Sequence, residues 1–255
     1  MAKVLCLSSQ VVWGPVGNTA AVPALQAQDH EVLQVPTILL SHHPGLGKPA
    51  AHLTPAKTFA ELLDSVEANG ALADCAAVMT GYFADQMQIR SAADLIIRLR
   101  AANPTLMVLV DPIIGDHGAL YVPSAIALAI RDFLLPLATI TTPNCFEVSW
   151  LTGAPATTTA EAVTAAVKLG CSETIITSIP LDDHQLGTLL LHDKRQQLDT
   201  SAKRLNVPHG TGDFLAGCYL AHRLLAPPAQ AFESAMARLH DVINKSAKGK
   251  ILRNT

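Results

Sequence analysis

At 255 residues, with 49% hydrophobic and 15% charged residues, the chain has material for a sizeable core and for one large α/β domain or two small ones. A formal net charge of -3, with no lysine- or arginine-rich block, excludes an electrostatic footprint for nucleic acid. No apolar run reaches the roughly eighteen residues of a membrane span. The stretch Met1 to Leu7 is too short and too strand-like for a secretory signal, so a soluble, cytoplasmic protein is expected.

The first strand candidate is Val4 to Leu7, ending in Ser8-Ser9, and a glycine-rich turn is expected over Gln10 to Asn18. Thr19 to Gln28 reads as an alanine-rich helix. A second strand, Glu31 to Val35, leads into a loop from Pro36 to Pro49 that carries Ser41-His42-His43-Pro44-Gly45. Residues 55–69 have helical spacing, and Ala76 to Thr80 is a buried strand stopping at Gly81-Tyr82. Ile89 to Ala102 is an amphipathic helix, Leu106 to Val110 a strand that delivers Asp111, and Pro123 to Leu135 a helix. Short strands follow at Thr139–Thr142 and Thr174–Thr177, with a helix over Glu161–Leu169 between them. The segments around Leu189 and Gln197 read as a polar edge hairpin, and Phe214–Leu225 and Ala229–Lys245 as the last helices. Apolar strands alternating with helices imply a single-domain α/β fold over residues 1–255, a mostly parallel central sheet with helices on both faces.

The five cysteines form no CxxC pair and sit among apolar neighbours, so they read as reduced and buried. Of the ten histidines only His42 and His43 adjoin, which is not the i, i+4 spacing of a helical metal pair.

In a doubly wound sheet ligands bind beyond the carboxyl ends of the strands. Acidic and hydroxyl residues recur at the expected ends: Ser9, Ser41, Asp111 and Asp116, Asn144 and Glu147, Thr177 and Ser178, with Tyr82 and His43 beside them. Each has a structural reading as well: Ser9 and Ser41 as turn residues, Asn144-x-x-Glu147 as a capping box, Asp213 as a helix N-cap. What unites them is the stretch His209-Gly210-Thr211-Gly212-Asp213 before an apolar run. A glycine-rich turn at a helix N-terminus offers N–H groups to an anion. A carboxylate there makes sense if it takes a proton while those groups hold charge growing on a phosphoryl group.

Asn144-Cys145-Phe146-Glu147 together with Gly210-Thr211-Gly212-Asp213 resembles the paired signature of the ribokinase-like superfamily. Ser9 to Asn18 is similar to the opening of the pyridoxal kinases, and Leu40-Ser41-His42-His43 to that family's second substrate loop. Thr80-Gly81-Tyr82, Asp111 to Asp116, Tyr121-Val122-Pro123 and Thr141 to Asn144 follow the same pattern. The resemblance implies a Rossmann-like three-layer kinase that moves the ATP γ-phosphoryl group to the 5′-hydroxymethyl of pyridoxal, pyridoxine or pyridoxamine. It implies Asp213 as base and Gly210, Thr211 and Gly212 as the N–H cradle. It implies Asp111, Asn144, Glu147, Thr177 and Ser178 toward ATP, and Asp116 and Glu147 toward Mg²⁺. Ser9, Val16, His43 and Tyr82 would line the vitamin pocket.

The resemblance also leaves room for a monovalent cation such as K⁺ and implies a homodimer acting on small molecules, with neither nucleic acid nor membrane as partner. Gln10 stands where the family usually has histidine, Pro44 where threonine is common, and the segment from Asp116 to Tyr121 is short, so a trimmed flap is expected. Two other readings remain open: a hydroxymethylpyrimidine kinase, and a non-catalytic relative that binds B6 vitamers or nucleotide.

Overall fold

Side chains alternate across a strand, so an uninterrupted apolar run needs cover on both faces. In β1 (Lys3–Trp13), Val4 and Cys6 enter one hydrophobic core, whereas Leu5 and Leu7 enter another on the opposite face. The computed structural model describes residues 1–204 and 207–246, so the end of the expected 1–255 domain lies outside the described residues.

The chain continues through α1 (Asn18–Gln26), β2 (Glu31–His42), β3 (Ala51–Leu53), α2 (Ala56–Ala68) and β4 (Cys75–Thr80). Next come α3 (Gln86–Ala102), β5 (Met107–Val110), the small pair β6 (Gly115–Asp116) and β7 (Ala119–Leu120), and α4 (Ser124–Ala129). The second half comprises β8 (Ile140–Thr141), α5 (Cys145–Thr152), α6 (Thr159–Leu169), β9 (Glu173–Pro180), β10 (Gln185–His192) and β11 (Arg195–Ala202). Two helices close it, α7 (Thr211–Arg223) and α8 (Pro228–Ser246).

The main sheet has nine strands in the order β11-β10-β9-β8-β5-β4-β1-β2-β3. Its interior pairings, from β2 through β9, are parallel, while β3 and the β10–β11 hairpin join antiparallel at the edges. This is the α/β three-layer architecture expected, ribokinase-like in topology. From β1 the chain first adds a strand on one side and later extends the sheet on the other. The switch in direction therefore falls at β1, the position at which open α/β sheets bind their ligands.

Three cores hold the layers. Phe214, Tyr219 and Phe232 pack under α1, α7 and α8, and Phe59, Leu95 and Ile126 under α2, α3 and α4. Val148, Ala165 and Ile176 form a smaller cluster at α5 and α6. Each of the Phe, Leu, Ile and Val side chains among them contributes about 1.5–3 kcal/mol when fully buried. The contact between α1 and α7 is especially close, because Gly217 faces the backbone of Ala21, where an added Cβ would stand at 2.8 Å.

Four expectations need correction. The turn expected from Gln10 is strand, since Gln10, Val11 and Trp13 pair with Leu39, Leu40 and His42. The loop expected from Pro36 is strand as far as His42. Pro36 is tolerated because it adjoins a bulge, Thr37 and Ile38 opposite Ser9, and lies beyond the reach of β3. The helix expected over Pro123–Leu135 gives way after Ala129 to a wide π turn and then a tight 3₁₀ turn. Pro136 explains this, having no N–H to donate and a ring that collides with the preceding turn. Finally, the cysteines are all free, but Cys145 and Cys171 are only partly buried.

Candidate active site

The helix α7 begins at Thr211, with Gly210 as its N-cap at φ 93°. Any side chain there would be strained, and its Cβ would overlap the Pro15 carbonyl oxygen. The turn is thereby pressed onto the connection between β1 and α1. The first bond within the helix runs from the Phe214 N–H to the Gly210 carbonyl at 2.9 Å. The N–H groups of residues 211–213 precede any i→i−4 acceptor, the usual setting for an anion. Asp213 follows on the same turn, partly buried, and its carboxylate accepts the N–H of Gly17 and its own N–H. Burial still outweighs these donors and pushes its pKa up to about 6.

A second group collects at the ends of β5 and β8. Asp111 follows β5, its N–H donated to the Thr80 carbonyl at 2.9 Å, and its side chain is buried. Its pKa lies well above the carboxylate range, first through burial and then through the charges of Glu147 and Asp213; the Thr142 hydroxyl beside it acts the other way. Asn144 and Glu147 form the capping box of α5: the Glu147 N–H donates to Asn144 Oδ1 and the Asn144 N–H to Glu147 Oε2, both at 2.9 Å. The structural reading of this pair is thus correct in geometry, but it is not the whole of it. Glu147 Oε1 also accepts the N–H of Ile114 at 2.8 Å and of Gly115 at 3.4 Å, while Asn144 Nδ2 donates to the Gly115 carbonyl at 2.9 Å. Burial nevertheless raises the Glu147 pKa to about 7, against these three donors and with help from Asp116.

The capping box therefore locks the base of the β6–β7 hairpin. That hairpin turns through His117 and Gly118, both at positive φ, the pattern of a type I′ turn. Here the expected trimmed flap is a minimal two-residue hairpin. Asp116 stands on it, accepting the His117 N–H at 2.7 Å. Thr177 donates its N–H to the Pro143 carbonyl at 3.0 Å and bridges Asn144, so these two share one sheet position. Thr177 and Ser178 lie opposite the single residue Thr188 of β10, a bulge in which Ser178 takes φ 60° and is exposed.

On the other side of β1, Ser9 and Val16 are buried, and Tyr82 is partly buried, its pKa raised by that burial. The Tyr82 backbone is held at both ends: its N–H donates to Ser8 Oγ at 3.1 Å and its carbonyl accepts Thr37 Oγ1–H at 2.7 Å. His43 caps a tight turn at Pro44–Leu46 and stacks on His209, ring centroids 4.1 Å apart. Pro44 is exposed, and Gln10 Oε1 is buried without a partner.

The structure brings Glu147 and Asp213 within electrostatic reach of Asp111 and joins Asn144, Asp116 and Thr177 to Glu147. Thr177 joins the group through its backbone alone, and Ser178 is exposed beside it. Four contributors carried no role in the sequence reading: Gly17, Ser8, Thr37 and Thr142. Gly17 and Thr142 lay inside the quoted motifs, while Thr37 gave no signal, because only the bulge in β2 aims it at Tyr82. Among the described residues, no helix is long and apolar enough to cross a membrane, and no three His, Cys, Asp or Glu side chains converge on a metal-sized point.

Comparison with known proteins agrees with this geometry. The sequence model of the phosphomethylpyrimidine kinase family matches residues 17–251. The chain is similar to a pyridoxine/pyridoxal/pyridoxamine kinase of Bordetella bronchiseptica, 34% identical over 95% of this chain and 89% of the relative. It is similar to a pyridoxal kinase of Corynebacterium diphtheriae, 32% identical over 86% of this chain and 80% of the relative. The pyridoxal kinase of Leishmania donovani, solved with ADP and pyridoxine, superposes with a TM-score of 0.90 at 30% identity, covering 99% of this chain and 90% of that one. The pyridoxal kinase of Entamoeba histolytica gives a TM-score of 0.92 at 25% identity, covering 99% and 92%. With its fold, its paired signature and these relatives in agreement, the chain belongs to the phosphomethylpyrimidine kinase family, in the pyridoxal kinase branch of the ribokinase-like superfamily.

Proposed function

We propose that this chain transfers the γ-phosphoryl group of ATP to the 5′-hydroxymethyl group of pyridoxal, pyridoxine or pyridoxamine. The observation that carries the reading is Asp213, a carboxylate with a pKa near 6 on the first turn of α7, beside N–H groups set for an anion. Asp213 takes the hydroxyl proton as the oxygen attacks the γ-phosphorus, and ADP leaves with the bond electrons. The backbone of Gly210, Thr211 and Gly212 holds the charge on the transferred group, since phosphoryl transfer asks mainly for placement and neutralisation. Asp111, Asn144, Thr177 and Ser178 face the nucleotide, and Ser9, Val16, His43 and Tyr82 face the vitamer.

The donor set fits bound cations. The charges of Glu147 and Asp213 raise the pKa of Asp111 and that of Asp116 raises Glu147, and no lysine or arginine enters among the causes of these shifts. The Thr142 hydroxyl lies buried next to Asp111. Asp116 and Glu147 would hold Mg²⁺, whose charge would offset that of the phosphates, and Asp111 with Thr142 would suit a monovalent cation such as K⁺. We assign residues 1–255 to one kinase domain, working in the cytoplasm as a homodimer on small molecules alone.

Relatives named for pyridoxal, pyridoxine and pyridoxamine, and a Leishmania donovani structure holding ADP and pyridoxine, support this choice of acceptor. The description of the matched family favours a second reading, hydroxymethylpyrimidine as acceptor. An ADP-release assay with Mg-ATP and all four acceptors separates them: turnover on the B6 vitamers is expected. Turnover on hydroxymethylpyrimidine alone would replace the proposal, and vitamer binding without any turnover would leave a non-catalytic binder.

A further inference from the structure

His209 lies one residue before the anion turn and belongs to none of the roles assigned above. Its ring lies nearly flat on that of His43, with centroids 4.1 Å apart and planes inclined by 26°. The two come from segments far apart in sequence, the loop after β2 and the turn ahead of α7. Gly45 completes the contact: a Cβ there would stand 2.5 Å from His209 Nε2 and 2.9 Å from His43 Nδ1. The loop is itself tight, with the Gly45 N–H donated to His43 Nδ1 at 3.0 Å and the Leu46 N–H to the His43 carbonyl at 2.9 Å. On its other side His209 is joined directly to Gly210, which is pressed against Pro15.

We infer that His209 is a positioning residue: stacked on His43, it fixes the loop of residues 43–46 against the turn that carries Gly210–Asp213. The inference rests on the proposed reading in which His43 faces the vitamer. It deepens that reading by naming what holds in place the loop that carries His43 to the vitamer. Pro44 leaves this loop no hydroxyl at that position to anchor a substrate, so its place depends on packing. The stack also needs a neutral His43, whose Nδ1 accepts the Gly45 N–H and therefore carries no proton. Burial and the charge of His209 hold the His43 pKa down at about 4, so it stays neutral under ordinary conditions. The neighbouring His42 is engaged with Ser41 Oγ at 3.0 Å.

The test compares His209→Ala, which removes the ring, with His209→Phe, which keeps a flat ring without a charge. Misplacing the loop is expected to raise the pyridoxal KM about tenfold in His209→Ala, with kcat and the ATP KM within about threefold of wild type. His209→Phe is expected to restore the pyridoxal KM. In parallel, NMR titration of the His43 ring, which needs no turnover, is expected to show protonation near pH 4 in wild type. In His209→Ala that titration moves toward the ordinary histidine range. An unchanged pyridoxal KM in His209→Ala, a His209→Phe enzyme as impaired as His209→Ala, or an ordinary His43 titration in wild type would each overturn the inference. Absence of turnover on every vitamer by wild type would sink the functional reading instead, while the titration still tests the stack.

Discussion

Three carboxylates define the site at the scale of single residues, and the fold works against the charge of each. Glu147 is raised from 4.5 to about 7 and Asp213 from 3.8 to about 6, while Asp111 is shifted in the same direction. A raised carboxyl pKa favours the protonated form in the folded state. The associated stability is complete below the ordinary carboxyl range and is lost as pH rises through the folded values. For Glu147 alone the shift corresponds to roughly 3 kcal/mol. The ligand-free protein is therefore expected to melt at a lower temperature at about pH 8 than at about pH 5, through these groups. Mg²⁺ with ADP should raise the melting temperature more at the higher pH. A melting temperature that climbs across this window, or an Mg²⁺ effect indifferent to pH, would contradict the assignment. Glu147 also shows how far sequence can be read at this scale. Asn-x-x-Glu spacing gives the capping box directly, but the second pair of donors, from Ile114 and Gly115, arrives through a hairpin base 32 to 33 residues upstream.

At the scale of elements, the decisive contact is between α1 and α7. It brings the N–H of Gly17 to the carboxylate of Asp213, and it depends on Gly217 lying against the backbone of Ala21. Backbone cannot step aside as a side chain tip can. Gly217→Ala is expected to destabilise the protein by about 1–3 kcal/mol and to lower kcat as α7 shifts. Urea denaturation and steady-state kinetics on the variant measure both, and a fully stable, fully active variant would remove the contact from its role. Helices with clear periodicity, such as α2 and α6, were legible to within a few residues. Strand ends were less so, because Gln10 to Trp13 and Pro36 to His42 become strand only by pairing with each other. Local signals such as Gly14 and Pro36 argue for turns, and the partner strand overrides them.

For the whole molecule, the mostly parallel sheet with helices on both faces was legible from the alternation of apolar strands and helices, and so was the edge hairpin. The place where the sheet changes direction was not, since nothing local to β1 records which neighbour the later strands will take. That switch, together with α7, explains why Glu147 and Asp213 come within electrostatic reach of Asp111, although the three are spread over about a hundred residues. The proposed chemistry is phosphoryl transfer from ATP with Asp213 as base. Its most direct test is the rate of pyridoxal 5′-phosphate formation from pyridoxal and saturating Mg-ATP, followed across pH in wild type and Asp213→Asn. The expected result is a wild-type acid limb near pH 6 and a variant slower by about 10²–10⁴-fold that still binds ATP and shows no such limb. A variant that keeps near-normal kcat, or one that retains the acid limb, would contradict it.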